Sequence, residues 1–400
     1  MISLLLTIVL LQGKAVSLPP LYEPIPQFEN ALPKDPKVSL KAPFAFSQET
    51  PPQIACVRQN ATNQRTEIVV TDIAGTSPKI LLSTPKTEYT TLQWSPNNRY
   101  IAVVEQAEQL HLKVIEVATA TCLSLGAIPT KPVYWTADSR SLHYWSEHSA
   151  PIGESPQWRL NRISAPWSSP IRLPLPHYYQ NSLHPPTPSS GVLPPQGDTL
   201  AAWAFEKERE GGVQLWLVLE DLKHKNKKRI AWRKFGDTRD FYAHRIELQW
   251  SGDQQWLYMV YQRGEVSRPY HYIYERATNK ITGLNPALLT SLNVGTRLLL
   301  PIRQWVQIRG TQFLCLPNDI ISGKPLRDKD GNLHWSLYNP QTQQFTAVAG
   351  CPQEIGTCVA NSSGKYLLFQ EEKTSHLTLY KISLKFLLPP PTRKPLQKPS

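Results

Sequence analysis

The stretch LQWSPNNRYIAVV, residues 92–104, decides the fold. It contains a short apolar strand, a polar turn through Pro96, Asn97 and Asn98, and a second apolar strand. Proline and asparagine favour tight turns, and alternating apolar residues favour half-buried strands. The stretch therefore predicts a β-hairpin in which both strands contribute to a core.

The same pattern of strand, polar turn and strand recurs along the chain. Clear copies are VYWTADSRSLHYW at 133–145, LQWSGDQQWLYMVY at 248–261 and VANSSGKYLLFQ at 359–370, and weaker copies lie at 44–57, 192–205 and 298–310. Spacings of about 40 to 60 residues between copies are typical of four-stranded propeller blades with loops of variable length. Aligned on the apolar residue after the turn, the seven copies fall at Ile54, Ile101, Leu142, Leu200, Leu257, Val306 and Leu367.

Each copy is followed by a third, alternating strand and in most cases by a short fourth strand. Short fourth strands are SPKILLS, TCLSL, KKRIAW, NKITGL and QQFTAV, and the third strands lie at 67–72, 112–117, 158–163, 215–221, 271–276, 334–339 and 377–382. We therefore predict an all-β fold, a single β-propeller of about seven four-stranded blades, with six or eight blades as alternatives. Trp94, Trp135 and Trp250 occupy one equivalent position, and we expect them to pack between neighbouring blades.

The segment from Trp94 to Ala102, W-S-P-x-x-x-x-I-A, resembles the WD40-like repeats of TolB-type β-propellers. The resemblance covers about residues 44–386, with two or three clear copies. The family usually has Asp-Gly in the turn, where this chain has Asn97-Asn98. TolB itself carries an α/β domain before its propeller, and residues 18–41 are too few for one. The resemblance therefore implies the repeat fold, and it does not imply a partnership with the complex of TolB.

The N-terminus predicts export from the cytoplasm. Ile2 to Leu11 form an apolar run, and the small residues Ala15-Val16-Ser17 follow it, as in a signal peptide that would span residues 1–17. The run is shorter than the roughly 20 residues of a membrane span, and no Lys or Arg precedes it. An uncleaved anchor and a buried N-terminal element are the alternatives.

The remaining chain divides into three segments. Residues 18–43 form a Pro-rich lead-in, from which we expect a strand near Val38–Leu40 to complete the last blade and close the ring. Residues 44–387 form the propeller. Residues 388–400 form a basic, Pro-rich tail whose composition predicts disorder.

The five cysteines leave at least one thiol unpaired. Cys351 and Cys358 bracket a short loop, and an exported chain would favour a disulfide between them, with two unpaired buried thiols as the alternative. Cys56 and Cys315 lie in apolar strand patterns and are expected to be small core residues. No cysteine spacing matches a zinc site, so we predict no metal and no cofactor.

Two loops are candidate binding sites. The segment 235–245 is the densest polar and aromatic loop, with Asp237, Arg239, Tyr242 and His244; a salt-linked connecting loop is the ordinary alternative. The Pro-rich insertion at 174–196, between the third and fourth blades, adds His177, Tyr178 and Tyr179.

The net charge and the absence of catalytic sequence motifs indicate the expected function. The formal net charge is +12, partly from the basic run 223–229, which we interpret as a solvated hairpin turn. The chain has no G-x-S-x-G nucleophile motif and no G-x-G-x-x-G or Walker motif. We therefore expect a non-catalytic, periplasmic or secreted scaffold, a monomer that binds a protein partner or a cell-envelope polymer and no nucleic acid. Its basic surface is consistent with peripheral membrane association. The alternative is a propeller enzyme, a hydrolase or lyase that acts on a sugar or lactone in the central channel.

Overall fold

The structure is a computed structural model, and it describes most of the chain between Tyr22 and Ile382. The described residues are 22–26, 28, 38–128, 133–148, 157–165, 167, 170–173, 191–194, 197–207, 212–235, 243–251, 254–263, 270–283, 299–308, 312–319, 325, 327, 331–333, 335–339, 344–354, 356–361, 363–373 and 377–382.

The described elements are 28 β-strands that form seven antiparallel sheets of four strands each. In chain order the sheets are β2(Val38–Phe46), β3(Ile54–Asn60), β4(Arg65–Thr71) and β5(Lys79–Pro85); β6(Glu88–Trp94), β7(Tyr100–Gln106), β8(Leu110–Glu116) and β9(Thr121–Ile128); β10(Val133–Trp135), β11(Ser141–His148), β12(Gln157–Ser164) and β13(Ile171–Arg172); β14(Gly191–Val192), β15(Thr199–Lys207), β16(Val213–Asp221) and β17(Lys227–Phe235); β18(Ala243–Trp250), β19(Trp256–Arg263), β20(Tyr270–Glu275) and β21(Lys280–Gly283); β22(Leu299–Ile308), β23(Gln312–Asp319), β24(Ser336–Asn339) and β25(Gln344–Ala347); β26(Gly356–Ala360), β27(Tyr366–Glu371), β28(Leu377–Ile382) and, from the N-terminal side, β1(Tyr22–Pro24).

The sheets are the blades of a propeller, because their first strands meet one another. Strand β2 contacts β6, β14 contacts β18, and β22 contacts β26. Strand β26 of the last blade contacts β2 of the first blade, so the row of blades returns to its start. The predicted all-β propeller of about seven four-stranded blades is confirmed.

The last blade is completed by the N-terminal part of the chain. Strand β1 pairs with β28, with Tyr22 opposite Ile382 and Pro24 opposite Tyr380. The prediction that the lead-in closes the ring is therefore right, but the predicted strand is wrong. Val38–Leu40 belongs to β2, which begins before residue 44 and pairs with β3. The ring of Phe44 holds β2 in the first blade, since it is buried in the core that the first and last blades share.

The predicted repeat alignment is confirmed in six of the seven blades, and it is wrong in the blade formed by β22 to β25. Ile54, Ile101, Leu142, Leu200, Leu257 and Leu367 all lie in second strands and are 0% exposed. Val306 instead lies in β22, a first strand, and the second strand of that blade is β23. Register shifts on both sides of Ile302 interrupt the pairing of β22 with β23. The adjacent Pro301 has no N–H to donate to the ladder. Because of this irregularity, the sequence of β22 resembles a turn, and the alignment was placed one strand too early.

The turn between the first and second strands has one construction in four blades. Asn98, Ser139, Gln254 and Gly364 take positive φ at equivalent positions. The side chain that opens each turn then accepts a hydrogen bond from the backbone N–H five residues later. These pairs are Ser95 with Tyr100 at 2.9 Å, Thr136 with Ser141 at 3.0 Å, Ser251 with Trp256 at 2.9 Å, and Asn361 with Tyr366 at 3.0 Å.

The three equivalent tryptophans join neighbouring blades, as predicted. Each indole Nε1 donates to a backbone oxygen in the first strand of the preceding blade. Trp94 reaches Ala45 at 3.2 Å, Trp135 reaches Gln93 at 3.0 Å, and Trp250 reaches Val192 at 3.3 Å. Their role is therefore structural.

Because the strands alternate in direction, the two ends of the propeller carry different connections. The turn face carries the first-to-second and third-to-fourth connections, such as 95–99 and 117–120. The crossover face carries the second-to-third connections and the links between blades, such as 107–109 and 86–87.

Candidate functional site

Six of the seven predicted binding residues lie outside the described part of the chain. Asp237, Arg239, Tyr242, His177, Tyr178 and Tyr179 all lie outside them. The backbone of His244 belongs to β18. These residues therefore stay predictions, and the described residues around segment 235–245 supply the geometry.

A guanidinium and three tyrosines meet beside the predicted segment, at the crossover end of the fourth and fifth blades. Arg233 Nη1 donates to the hydroxyl of Tyr272 at 2.7 Å. Its guanidinium carbon lies 4.4 Å from the ring centre of Tyr270 and 5.8 Å from that of Tyr261. We call Arg233, Tyr261, Tyr270 and Tyr272 the Arg–Tyr cluster.

A β-bulge places Arg233 in this cluster. In β17, Ala231 lies opposite Trp216 and Arg233 lies opposite Leu215, so Trp232 is the extra residue. A bulge shifts the alternation of side chains by one residue, so Arg233 points to the same side as Trp232, towards the fifth blade. The ring of Trp232 meets Tyr272 edge-on at 5.5 Å.

The Arg–Tyr cluster is charged and partly open to solvent. Burial alone would lower the pKa of Arg233, but the hydrogen bond to Tyr272 and the nearby phenols raise it, so the group stays cationic. Tyr270 is 47% exposed. A fixed guanidinium beside an exposed aromatic ring suits carboxylates and planar polar groups, and Arg and Tyr are enriched in the energetic centres of protein interfaces.

The outer edge of the fourth blade carries further positive charge. Arg229 lies 4.4 Å from the ring centre of Trp216 and pairs with Glu206 at 2.7 Å. Upstream, the Asp221 N–H donates to the Asn226 oxygen, so the basic run is a hairpin turn that continues into β17, as predicted.

A second polar cluster lies between the third and fourth blades, near the turn face. His143 is 2% exposed, and its Nδ1 has no hydrogen-bond partner among the described residues. Burial, and next the charge of Arg162, lower the pKa of His143 to about 4, so the imidazole is neutral at pH 7. Burial, Asp138 and Asp221 raise the pKa of Asp198. This interface therefore buries an imidazole nitrogen without a hydrogen-bond partner among the described residues.

The cysteine pair differs from the predicted disulfide. Cys351 and Cys358 are free thiols in the structure, which is the alternative left open by the sequence. Cys351 is buried and Cys358 is half-buried; burial and the neighbouring Cys358 raise the pKa of Cys351, and burial raises that of Cys358 to about 12, which favours the protonated thiol in both. Cys56 is buried, as expected for a core residue.

The described residues contain neither a metal-binding cluster nor a membrane-spanning helix. Within them no group of three or more His, Cys, Asp or Glu side chains is arranged to hold a metal ion. The same part of the chain contains no helix with the length and apolar character of a membrane span.

Sequence reasoning missed the Arg–Tyr cluster, although a signal for it exists. Tyr270 and Tyr272 alternate in the third strand of one blade, and Arg233 lies in the fourth strand of the preceding blade. In a propeller the faces of adjacent blades pack together, so an aromatic stripe and a basic strand in consecutive blades indicate a shared interface.

No protein-family model matches the chain, and no curated protein matches it in sequence. Among solved structures, an oligogalacturonate lyase from Vibrio parahaemolyticus is 10% identical over 89% of this chain and 93% of that chain, with a TM-score of 0.54. The β-propeller domain of the Trilobed protease from Pyrococcus furiosus is 13% identical over 86% and 95% of the two chains, with a TM-score of 0.53. TolB from Acinetobacter baumannii is 12% identical over 83% and 64%, with a TM-score of 0.39, which adds nothing to the repeat resemblance. At these identities the likeness shows the β-propeller fold alone.

Proposed function

We propose that this protein is a non-catalytic, extracytoplasmic binding scaffold, and that the crossover end of the fourth and fifth blades is its binding face. The observation that carries the proposal is the Arg–Tyr cluster. It combines a fixed cation, phenol hydroxyls and an exposed ring at one place.

The composition of this face favours recognition over structural support. Tyrosine offers a large rigid contact area at low entropic cost, and an arginine held by aromatic rings is already oriented for a partner carboxylate. The occupant is a protein or an acidic cell-envelope polymer, which the cationic guanidinium of Arg233 would attract. The predicted residues Asp237, Arg239, Tyr242 and His244 lie downstream of Arg233 in the connection to the fifth blade, and we propose that they extend the same face.

Export and cell location belong to the same proposal. The apolar N-terminus supports a cleaved signal over residues 1–17, and the mature chain would act in the periplasm or outside the cell as a monomer. The predicted insertion residues His177, Tyr178 and Tyr179 would add a further contact to the partner.

The test is an affinity pull-down from the native cell envelope with residues 18–400, analysed by mass spectrometry. Tyr270→Ala and Arg233→Ala should each reduce the retained partner at least about tenfold, as expected for the loss of an interface centre. Arg99→Ala is the matched control, since Arg99 also lies over a tyrosine, Tyr100, at 5.1 Å, but on the turn face. Equal retention by all variants would contradict the proposal.

The alternative function, an enzyme acting on a sugar or lactone in the channel, predicts a different result. A small carbohydrate would be retained without any protein, and it would be turned over by the wild type and both cluster variants alike.

A further inference from the structure

A cavity of about 550 Å³ opens between the first and second blades at the crossover face. It is lined by Ala42 of β2, Val57 and Gln59 of β3, Lys86 and Thr87 of the blade-to-blade link, Glu88 and Tyr89 of β6, and Gln106 of β7. Its volume lies within the range of small-molecule sites in proteins, about 300–1,000 Å³. The cavity lies away from the Arg–Tyr cluster, and the inference drawn from it goes beyond the proposed function.

Both signs of charge line the cavity without being paired to each other. Lys86 and Glu88 are exposed, and neither forms an ion pair or a side-chain hydrogen bond with any described residue. Two opposite charges at one cavity that do not neutralise each other suit a ligand that carries both charges itself.

The walls add uncharged hydrogen-bonding groups. Gln59 is half-buried, and its side-chain amide makes no hydrogen bond within the described part of the chain. Gln106 donates only to the neighbouring carbonyl of Ala107, at 3.2 Å, so its amide oxygen is available. A side-chain amide offers one acceptor and two donors, which complements a peptide group.

The floor of the cavity argues against a sugar or a nucleoside. Tyr89 is the only aromatic side chain among the described residues that line the cavity, and it is 3% exposed. Its hydroxyl is held by Thr84 at 2.8 Å. The ring therefore offers no open face for stacking, which sugars and bases generally use in proteins.

We propose that this cavity binds a short peptide with free termini. Lys86 would receive the terminal carboxylate, Glu88 would receive the terminal ammonium, and the amides of Gln59 and Gln106 would bond the peptide groups between them. The apolar side chains of Val57 and Ala42 leave room for small side chains of the ligand.

The experiment is isothermal titration calorimetry of the folded chain with tri-alanine and with the same peptide blocked as the N-acetyl amide. Tri-alanine should bind, and blocking the termini should weaken binding about tenfold or more, because both charge-assisted hydrogen bonds are lost. Lys86→Ala, Glu88→Gln and Gln59→Ala should each weaken the binding of tri-alanine.

Lys365→Ala and Glu354→Gln are the controls, since both residues are exposed charges away from the cavity. Both control variants should bind tri-alanine with the affinity of the wild type. Thermal melts of all five variants would establish that they fold. The proposal is overturned if tri-alanine does not bind at millimolar concentration, if the blocked peptide binds equally well, or if the cavity variants behave like the controls. None of these outcomes depends on the envelope pull-down, so the two proposals fail separately.

Discussion

The two faces of the propeller are built in different ways. On the turn face one device repeats: a side chain opens the turn, a residue with positive φ follows, and a tryptophan at the end of the first strand reaches the preceding blade. On the crossover face two of the described junctions differ from each other. The first and second blades leave a cavity, and the fourth and fifth blades bring Arg233 onto tyrosines. The repeated face stabilises the ring, while the variable face is free to carry specific binding groups.

Removal of a tryptophan from the turn face should cause the largest loss of stability. Trp135 is 0% exposed, stacks on Tyr100 with ring centres 6.1 Å apart, and donates to Gln93. Trp135→Ala should lower the free energy of unfolding by about 3–5 kcal/mol, through the cavity left behind and the lost blade-to-blade bond. Urea denaturation measures the change.

Two further variants sharpen this result. Trp135→Phe should lose less, since it keeps most of the packing and loses the indole donor. Leu123→Ala, at an exposed position, should change little. A loss below 1 kcal/mol for Trp135→Ala would mean that the repeated device does not hold the blades together.

The next effect is a dependence on pH near the same face. The pKa of His143 is about 4 in the folded protein and about 6.5 in an unfolded chain. Between these values the unfolded state binds more protons, so stability is full above pH 6.5 and falls as the pH is lowered towards 4. The difference corresponds to about 3 kcal/mol.

Urea denaturation between pH 4 and 7.5 tests this dependence. His143→Gln should flatten the slope in that window, whatever its effect on stability at pH 7. Leu123→Ala is the control, because it removes an exposed side chain that carries no ionisable group, and its variant should keep the slope. If the slope survives in His143→Gln, another group causes it.

A smaller effect is expected at Asn98, where backbone and side chain can be separated. Asn98 has φ of 58°, and its Oδ1 accepts a hydrogen bond from the Gln48 N–H of the preceding blade at 2.6 Å. Asn98→Ala should cost about 1–2 kcal/mol, since both the left-handed conformation and the bond are affected. Asn98→Gly restores the conformational freedom and should recover part of the loss. Equal losses in the two variants, by thermal denaturation, would assign the whole effect to the bond between blades.

The sequence predicts the turn face of the molecule better than the crossover face. The turns of the turn face were predictable because the hydrogen bonds that close them are local: Ser95 bonds Tyr100 five residues away, and the same spacing recurs. Ring closure was placed on the wrong strand because Tyr22–Pro24 has three residues and ends in proline, which is tolerated only at a sheet edge. The Arg–Tyr cluster depends on a bulge at Trp232 and on contacts between residues 39 apart, for which the sequence has no local pattern.

The smallest expected effect on stability lies on the crossover face. Tyr270 is half-exposed and contacts Arg233 from the solvent side, so Tyr270→Ala should change the free energy of unfolding by no more than about 0.5 kcal/mol. Chemical denaturation beside Trp135→Ala gives the comparison in one experiment. A small change would mean that the ring of Tyr270 is dispensable for folding, as a surface kept for binding should be. A loss as large as that of Trp135→Ala would make the Arg–Tyr cluster a second structural junction, and the difference between the two faces would then be one of sequence alone.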